Sequence, residues 1–411
     1  MSVKTSLFIA TRYLVSKKSR NLINIISSIS VVGLGIGTFA LIVVLSVFNG
    51  FESVIKSLYG VFNPDFKITA LNGKTFSLHN FPSEKIKQIE GVADFSKVIE
   101  EDALFRYGEK QFIGKIKGVE NKFAQLSGID SMLVDGYFVL NEGDANYAVV
   151  GAGVAYYLDL YPDEVSKFLN IYVPKRGNQS SFNVATAFNR KAIHASGVFS
   201  VQQEFDEQYV ILPLDFVSDL MEYDNEVTSI ELFTKKDADT EKVQQQIKNL
   251  LGDDFKVANR YEQNMALYKV LSSEKAAIFF ILLFILALAS FNMIGSLSIL
   301  IVEKKKDIAV LKSMGADKKL IKNIFSLEGM LISIIGGLGG LILGFIVLYL
   351  QQAYGFVSLG SGQGDFIIDA YPVKMNWIEF VYVFATVQII GFLASIYPVN
   401  FLLKNFEKIK L

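Results

Sequence analysis

Residues 303–325 read EKKKDIAVLKSMGADKKLIKNIF. Seven lysines stand among spaced apolar residues, and long uncharged runs lie on both sides. Upstream, 276–302 carries no charge; downstream, 330–350 carries none. A bilayer core takes roughly 20 apolar residues per helix. The quoted stretch is therefore a polar connection between two membrane helices. Two further runs complete the pattern. Residues 22–48 are uncharged, and 377–403 hold a single charge, Glu379, near the start. Four transmembrane helices are predicted, at 22–48, 276–302, 326–350 and 377–403.

Lysine and arginine set the orientation, because short basic loops stay on the cytoplasmic side. Residues 1–21 hold five basic residues and no acidic ones, and 303–322 hold seven lysines against three acids. The tail 404–411 has Lys404, Lys408 and Lys410 against Glu407. Four spans place all three segments on one side, so both termini and the 303–325 stretch are expected in the cytoplasm. The segment 1–21 reads as amphipathic. The first span has no small-x-small site at 48–51 and is expected to remain as an uncleaved anchor.

The segment 49–275 then lies outside, with a short loop, 351–376, between the last two spans. Residues 65–71 alternate as a strand, 83–89 read as a short helix, and 94–107 and 111–119 read as strands. Near the far end, 228–233 alternates again. Over 239–251, Val243, Ile247, Leu250 and Leu251 share one helical face, and 255–258 suits a strand. The expectation is an α+β domain made of about 50–120 and 227–275, with a subdomain of about 121–226 inserted. The fold class is a membrane protein of four helices with a large α+β domain between the first two.

Several chemistries find no support. The chain of 411 residues has a net charge of −1, so bulk charge names no nucleic-acid partner. It has no cysteine, and His79 and His194 stand apart without ligand spacing, so no metal site is expected. Residues 108–115 come nearest to a phosphate-binding loop. The spacing is one residue too long, and Ile116 stands where Ser or Thr belongs. The glycine-rich 360–364 reads as a flexible outer turn. No charge lies at the centre of a span, and Asn292 is expected to hydrogen-bond between helices. No catalytic or cofactor-binding residue is predicted.

Other features suggest contacts. Gly336, Gly340 and Gly344 repeat every four residues in the third span, and Gly33 and Gly37 do so in the first. Such spacing lets helix backbones approach closely, within a chain or between copies. Residues 174–190, PKRGNQSSFNVATAFNR, are polar and turn-rich. Lys175, Arg176, Phe182, Phe188 and Arg190 are candidates for a partner contact there, and a plain surface hairpin is the alternative. In the quoted stretch, 304–314 forms a short helix with Ile308, Val310 and Leu311 on one side. Gly315 suits a left-handed cap, and Asp317 can cap the next helix. Two roles fit: a basic pair of helices on anionic lipid, or a plug with apolar knobs for a partner's groove.

The stretch 303–325 closely resembles the coupling segment of the type VII, four-span FtsX-like and MacB-like ABC transporter permeases. Residues 8–14 (FIATRYL), 43–52 (VVLSVFNGFE), 204–206 (EFD), 291–294 (FNMI) and 397–398 (YP) resemble the lipoprotein-releasing branch. The resemblance covers the whole chain and implies a non-catalytic subunit of a lipoprotein-releasing transporter. ATP and Mg would belong to a separate ABC ATPase, in two copies, docked at Ile308, Val310, Leu311, Met314 and Gly315. It further implies a second permease, the same chain or a paralogue, a lipoprotein entering laterally between first spans, and a periplasmic carrier. Residues 161–164 replace the family's glycine-aspartate turn, and the tail lacks its arginine-alanine run. Residues 174–190 align with a carrier-binding hook but differ from it in sequence. Export of a drug or peptide, regulation of envelope enzymes, and a membrane-anchored sensor without transport stay open as alternatives.

Overall fold

The computed structural model describes residues 3–15, 22–79, 81–164, 166–176, 187–358 and 370–408. The chain forms two compact units: Met1–Val54 with Lys269–Leu411, and Ile55–Tyr268.

Four helices are long and apolar enough to cross a membrane: Leu22–Phe62, Met265–Glu303, Lys318–Tyr354 and Trp377–Lys408. The first and second run well beyond the uncharged stretches that mark them in sequence. Past Phe48 the first continues as an amphipathic helix to Phe62. A further helix, Val3–Val15, packs on the third long helix and buries Ser6 and Ala10.

The second unit carries thirteen strands among the described residues. They are β1 Phe66–Ala70, β2 Phe76–Ser77, β3 Val92–Tyr107, β4 Lys110–Val119, β5 Leu133–Gly136, β6 Asn141–Glu142, β7 Ala145–Gly151, β8 Leu169–Pro174, β9 Phe188–Phe199, β10 Tyr209–Pro213, β11 Glu226–Val227, β12 Ser229–Thr234 and β13 Phe255–Asn259. Eleven join one sheet in the order β13-β1-β12-β3-β4-β10-β7-β9-β5, with β6 on β7 and β8 on β3 and β9. Strand β10 runs parallel to β4, and β7 runs parallel to β9.

The middle of the sheet is buried on both faces, and period-two alternation divides its residues between two cores. Ile99, Val150 and Leu212 face one, with Val154, Leu158, Val217, Val243 and Ile247 from the covering helices. Val98, Val149 and Ile211 face the other, with Phe62, Phe123 and Phe205. Among the described residues, the block 121–226, expected as an inserted subdomain, has no sheet of its own. Its β10 enters directly beside β4, and every residue of β10 is buried. Strands covered on both faces read as continuous apolar runs, and such a run does not reveal its neighbours.

Candidate functional site

The stretch 303–325 folds as two helices with a sharp turn. Helix Lys305–Ser313 ends with Ala316 N donating to the Leu311 carbonyl at 2.9 Å, and Gly315 takes φ +86°. A side chain in that left-handed conformation would be strained. Asp317 then accepts from Leu320 N at 3.0 Å and caps the third long helix. The short helix folds back on its own unit. Ile308 is buried with Leu300, Ile301, Ile321, Phe325 and Val399. Ile308, Val310 and Leu311 are thus not one docking face: Ile308 packs inward and is unavailable to a partner. Val310 and Met314 point outward, 58% and 72% exposed, with Leu311 half-buried. Lys304 Nζ lies 4.6 Å from the Tyr13 ring centroid and pairs with Asp307 at 3.3 Å.

Gly336, Gly340 and Gly344 of the third long helix face the first helix of the same chain. A Cβ at Gly336 would stand 2.7 Å from the Val31 carbonyl oxygen, and one at Gly340 would stand 2.3 Å from that of Gly35. Gly344 abuts Ile42. Gly37 and Gly33 face the second long helix instead, against Leu286 and Asn292. Asn292 takes part in an interhelical bond through its carbonyl, which accepts from Ser30 Oγ at 3.3 Å. Its side chain lines a shallow apolar groove of about 620 Å³ with Ile25, Ile29, Val32 and Ile36.

Within the second unit, the end of the first helix sits in a built socket. Phe62 stacks on Phe205 at 4.3 Å, and Tyr59 donates to Glu204 Oε2 at 2.8 Å. Asp206 accepts from Val201 N and Ser200 Oγ, both at 2.8 Å; burial outweighs these bonds and raises its carboxyl. The 204–206 motif is therefore a holder for the helix end. Below it, Lys117 is 2% exposed and pairs with Glu231 at 3.0 Å. Lys117 Nζ also donates to the Phe62 carbonyl at 3.3 Å and lies 4.4 Å from the Phe62 ring. A cation suits the negative end of a helix dipole. Glu100 joins this network through Lys67 at 2.8 Å and the Tyr209 hydroxyl at 2.6 Å.

At the root of the 174–190 segment, β8 and β9 pair as far as Pro174 and Phe188. Phe182 lies outside the described residues, as does the 360–364 turn. Phe188 and Lys175 are exposed. Two of the basic candidates are engaged internally. Arg176 pairs with Glu226 at 2.8 Å and lies over the Tyr223 ring, while Arg190 donates to Asn170 Oδ1 and lies over Tyr172. Glu226 answers the Arg176 charge, whereas the partners of Arg190 are neutral and leave its charge in place. Residues 108–115 form the β3–β4 hairpin, with Gly108 at φ +58° in its turn, and so precede no helix that could hold a phosphate. Among the described residues no group of three or more His, Cys, Asp or Glu is placed for a metal. His194 packs on Phe168, and His79 bonds Ser77 and Asn225.

Lys117, Glu231 and Glu328 escape the sequence reading. Glu328 in the third long helix is fully buried, and neither carboxyl oxygen has a hydrogen-bond partner. Its signal was a single acid just outside the uncharged run.

Comparison with known proteins agrees with this layout. Residues 27–250 match the MacB-like periplasmic core domain, and 279–405 match the FtsX-like permease C-terminal domain. The chain is 23% identical to the lipoprotein-releasing system transmembrane protein LolE of Haemophilus influenzae, over 97% of both chains. It is 25% identical to LolC of Buchnera aphidicola, over 97% of this chain and 96% of that one. It is 26% identical to LolC of Neisseria meningitidis, over 95% of both. Among solved structures, the periplasmic region of MacB from Actinobacillus actinomycetemcomitans aligns at 14% identity and a TM-score of 0.36, covering 53% of this chain and 98% of that one.

Proposed function

This chain belongs to the FtsX-like permeases with a MacB-like periplasmic core domain, and from that membership we propose that it is the membrane subunit of an ABC transporter that releases lipoproteins from the inner membrane. The observation that carries the reading is the end-to-end match to lipoprotein-releasing proteins, which extends to both units. In this reading a separate ATPase binds ATP and Mg and docks on Val310, Leu311, Met314 and the Gly315 turn. The basic segments and both termini face the cytoplasm. ATP-driven movement there passes along the first helix, whose end is held by Lys117, Phe205 and Glu204 in the periplasmic domain. A second permease, this chain again or a paralogue, completes the transporter. A lipoprotein enters beside the first span and leaves on a periplasmic carrier met at the 174–190 hairpin.

Depletion of the chain in cells tests the substrate. Lipoproteins destined for elsewhere should accumulate in the inner membrane, while drug sensitivity changes only as a secondary effect. Normal lipoprotein distribution with lost export of a drug or peptide would favour the other transport reading. A chain that brings down no ABC ATPase on purification would point to a sensor.

A further inference from the structure

Contacts converge on residues 43–52, VVLSVFNGFE. Asn49 is 7% exposed. Its Nδ2 donates to Glu379 Oε2 at 2.6 Å, and its Oδ1 accepts from Lys275 Nζ at 2.6 Å. Lys275 Nζ also donates to Glu379 Oε1 at 2.7 Å. Three side chains thus close a ring across the first, second and fourth long helices. An amide suits this place because donor and acceptor share one planar group. The Glu379 side chain is 12% exposed, and its charge is answered inside the ring.

The surroundings reinforce the ring. Ser46 O accepts from Lys374 N at 3.0 Å, and Lys374 Nζ donates to Ser53 Oγ at 3.3 Å. Phe51 meets Tyr371 edge to face at 5.6 Å. A Cβ at Gly50 would stand 2.1 Å from the Pro372 carbonyl oxygen, so only glycine allows this approach. Ionic, backbone and aromatic contacts all fasten the same two turns of the first helix. Sliding between the helices would strand a partly buried charge, which is costly.

We propose that Asn49, Lys275 and Glu379 are positioning residues that clamp these three helices into one body at the end from which the chain enters the extracytoplasmic domain. The clamp prevents motion begun at the coupling segment from being lost as slippage between helices, and it stays closed through the cycle. This rests on the transporter reading above.

The test uses the purified complex of the full chain with its ATPase, loaded with lipoprotein, and reads lipoprotein released per ATP hydrolysed. Lys275→Glu and Glu379→Lys should each lower that ratio at least about tenfold, with ATP turnover changed less than about twofold. The double swap should restore most of it. Variants that release like the parent overturn the clamp, as does a folded double swap that stays uncoupled. If the charge reversals do not fold, a cross-link decides. The chain has no cysteine, so Ser53→Cys with Lys374→Cys can be joined by a short bismaleimide. The joined protein should keep its release, and loss of release would show that this contact must open. A parent complex that hydrolyses ATP and releases no lipoprotein overturns the transporter reading itself, and the clamp with it.

Discussion

Lys117 and Glu231 face one another inside the sheet, 2% and 1% exposed. Removing one partner leaves a buried charge unmatched. Lys117→Met should destabilise the protein by about 3–5 kcal/mol, and adding Glu231→Leu should recover most of that. Thermal unfolding of the full chain in detergent gives both values; equal midpoints for the parent and the single variant would refute the pairing. Glu100 makes a prediction about pH. Burial alone would raise its carboxyl, but Lys67, Lys117 and the Tyr209 hydroxyl outweigh burial and hold it at about 2, below its ordinary 4.5. A depressed folded value means that the stabilisation is complete above the ordinary value and is lost as pH falls toward 2. The gap in midpoint between the parent and Glu100→Gln should therefore narrow from pH 7 to pH 3. A constant gap would mean that charge plays no part. None of these charges stood out in the sequence. In 65–71, 94–107, 111–119 and 228–233 they occupy ordinary strand positions, and only the pairing of distant strands brings them together.

At the scale of elements, local signals were legible and partners were not. The cap at Asp317 and the left-handed turn at Gly315 follow from residue type and position alone, because both depend on neighbouring backbone. The inward turn of Ile308 depends on Val399 and Leu300, which no helical wheel of 304–314 includes. Docking by this element predicts that Val310→Asp cuts recovery of the ATPase with tagged chain by about tenfold or more, since a charge in an apolar contact costs several kcal/mol. Leucine or isoleucine at 310 should leave recovery intact, and undiminished recovery with Asp would move the dock elsewhere. The glycine seam predicts that even Gly340→Ala destabilises the membrane unit by about 1–3 kcal/mol through overpacking against Gly35 O and Thr38. Gly339, with open space at its Cβ position, is the control and should tolerate alanine. Deleting 177–186 should leave the unfolding of the chain unchanged, because β8 and β9 remain paired below the cut. Carrier binding should then fall; unchanged affinity would place the carrier on another surface.

For the whole molecule, apolar runs announced the membrane helices because hydrophobic length is a property of one segment. The continuation of the first helix to Phe62 was hidden, since 49–62 carries the polar residues of an amphipathic helix. Sheet order was hidden for the same reason as the charge network: β4 takes β10 as its parallel neighbour from some ninety residues away in sequence. In the proposed function this permease turns ATP hydrolysis by a separate subunit into lipoprotein release. The direct measurement places the chain, its ATPase and its partner permease in lipid vesicles with an embedded lipoprotein and a soluble carrier outside. ATP with Mg should transfer lipoprotein to the carrier in a time-dependent way, and Val310→Asp should abolish the transfer. Transfer that proceeds equally without ATP, or ATP turnover that releases none, would contradict the account.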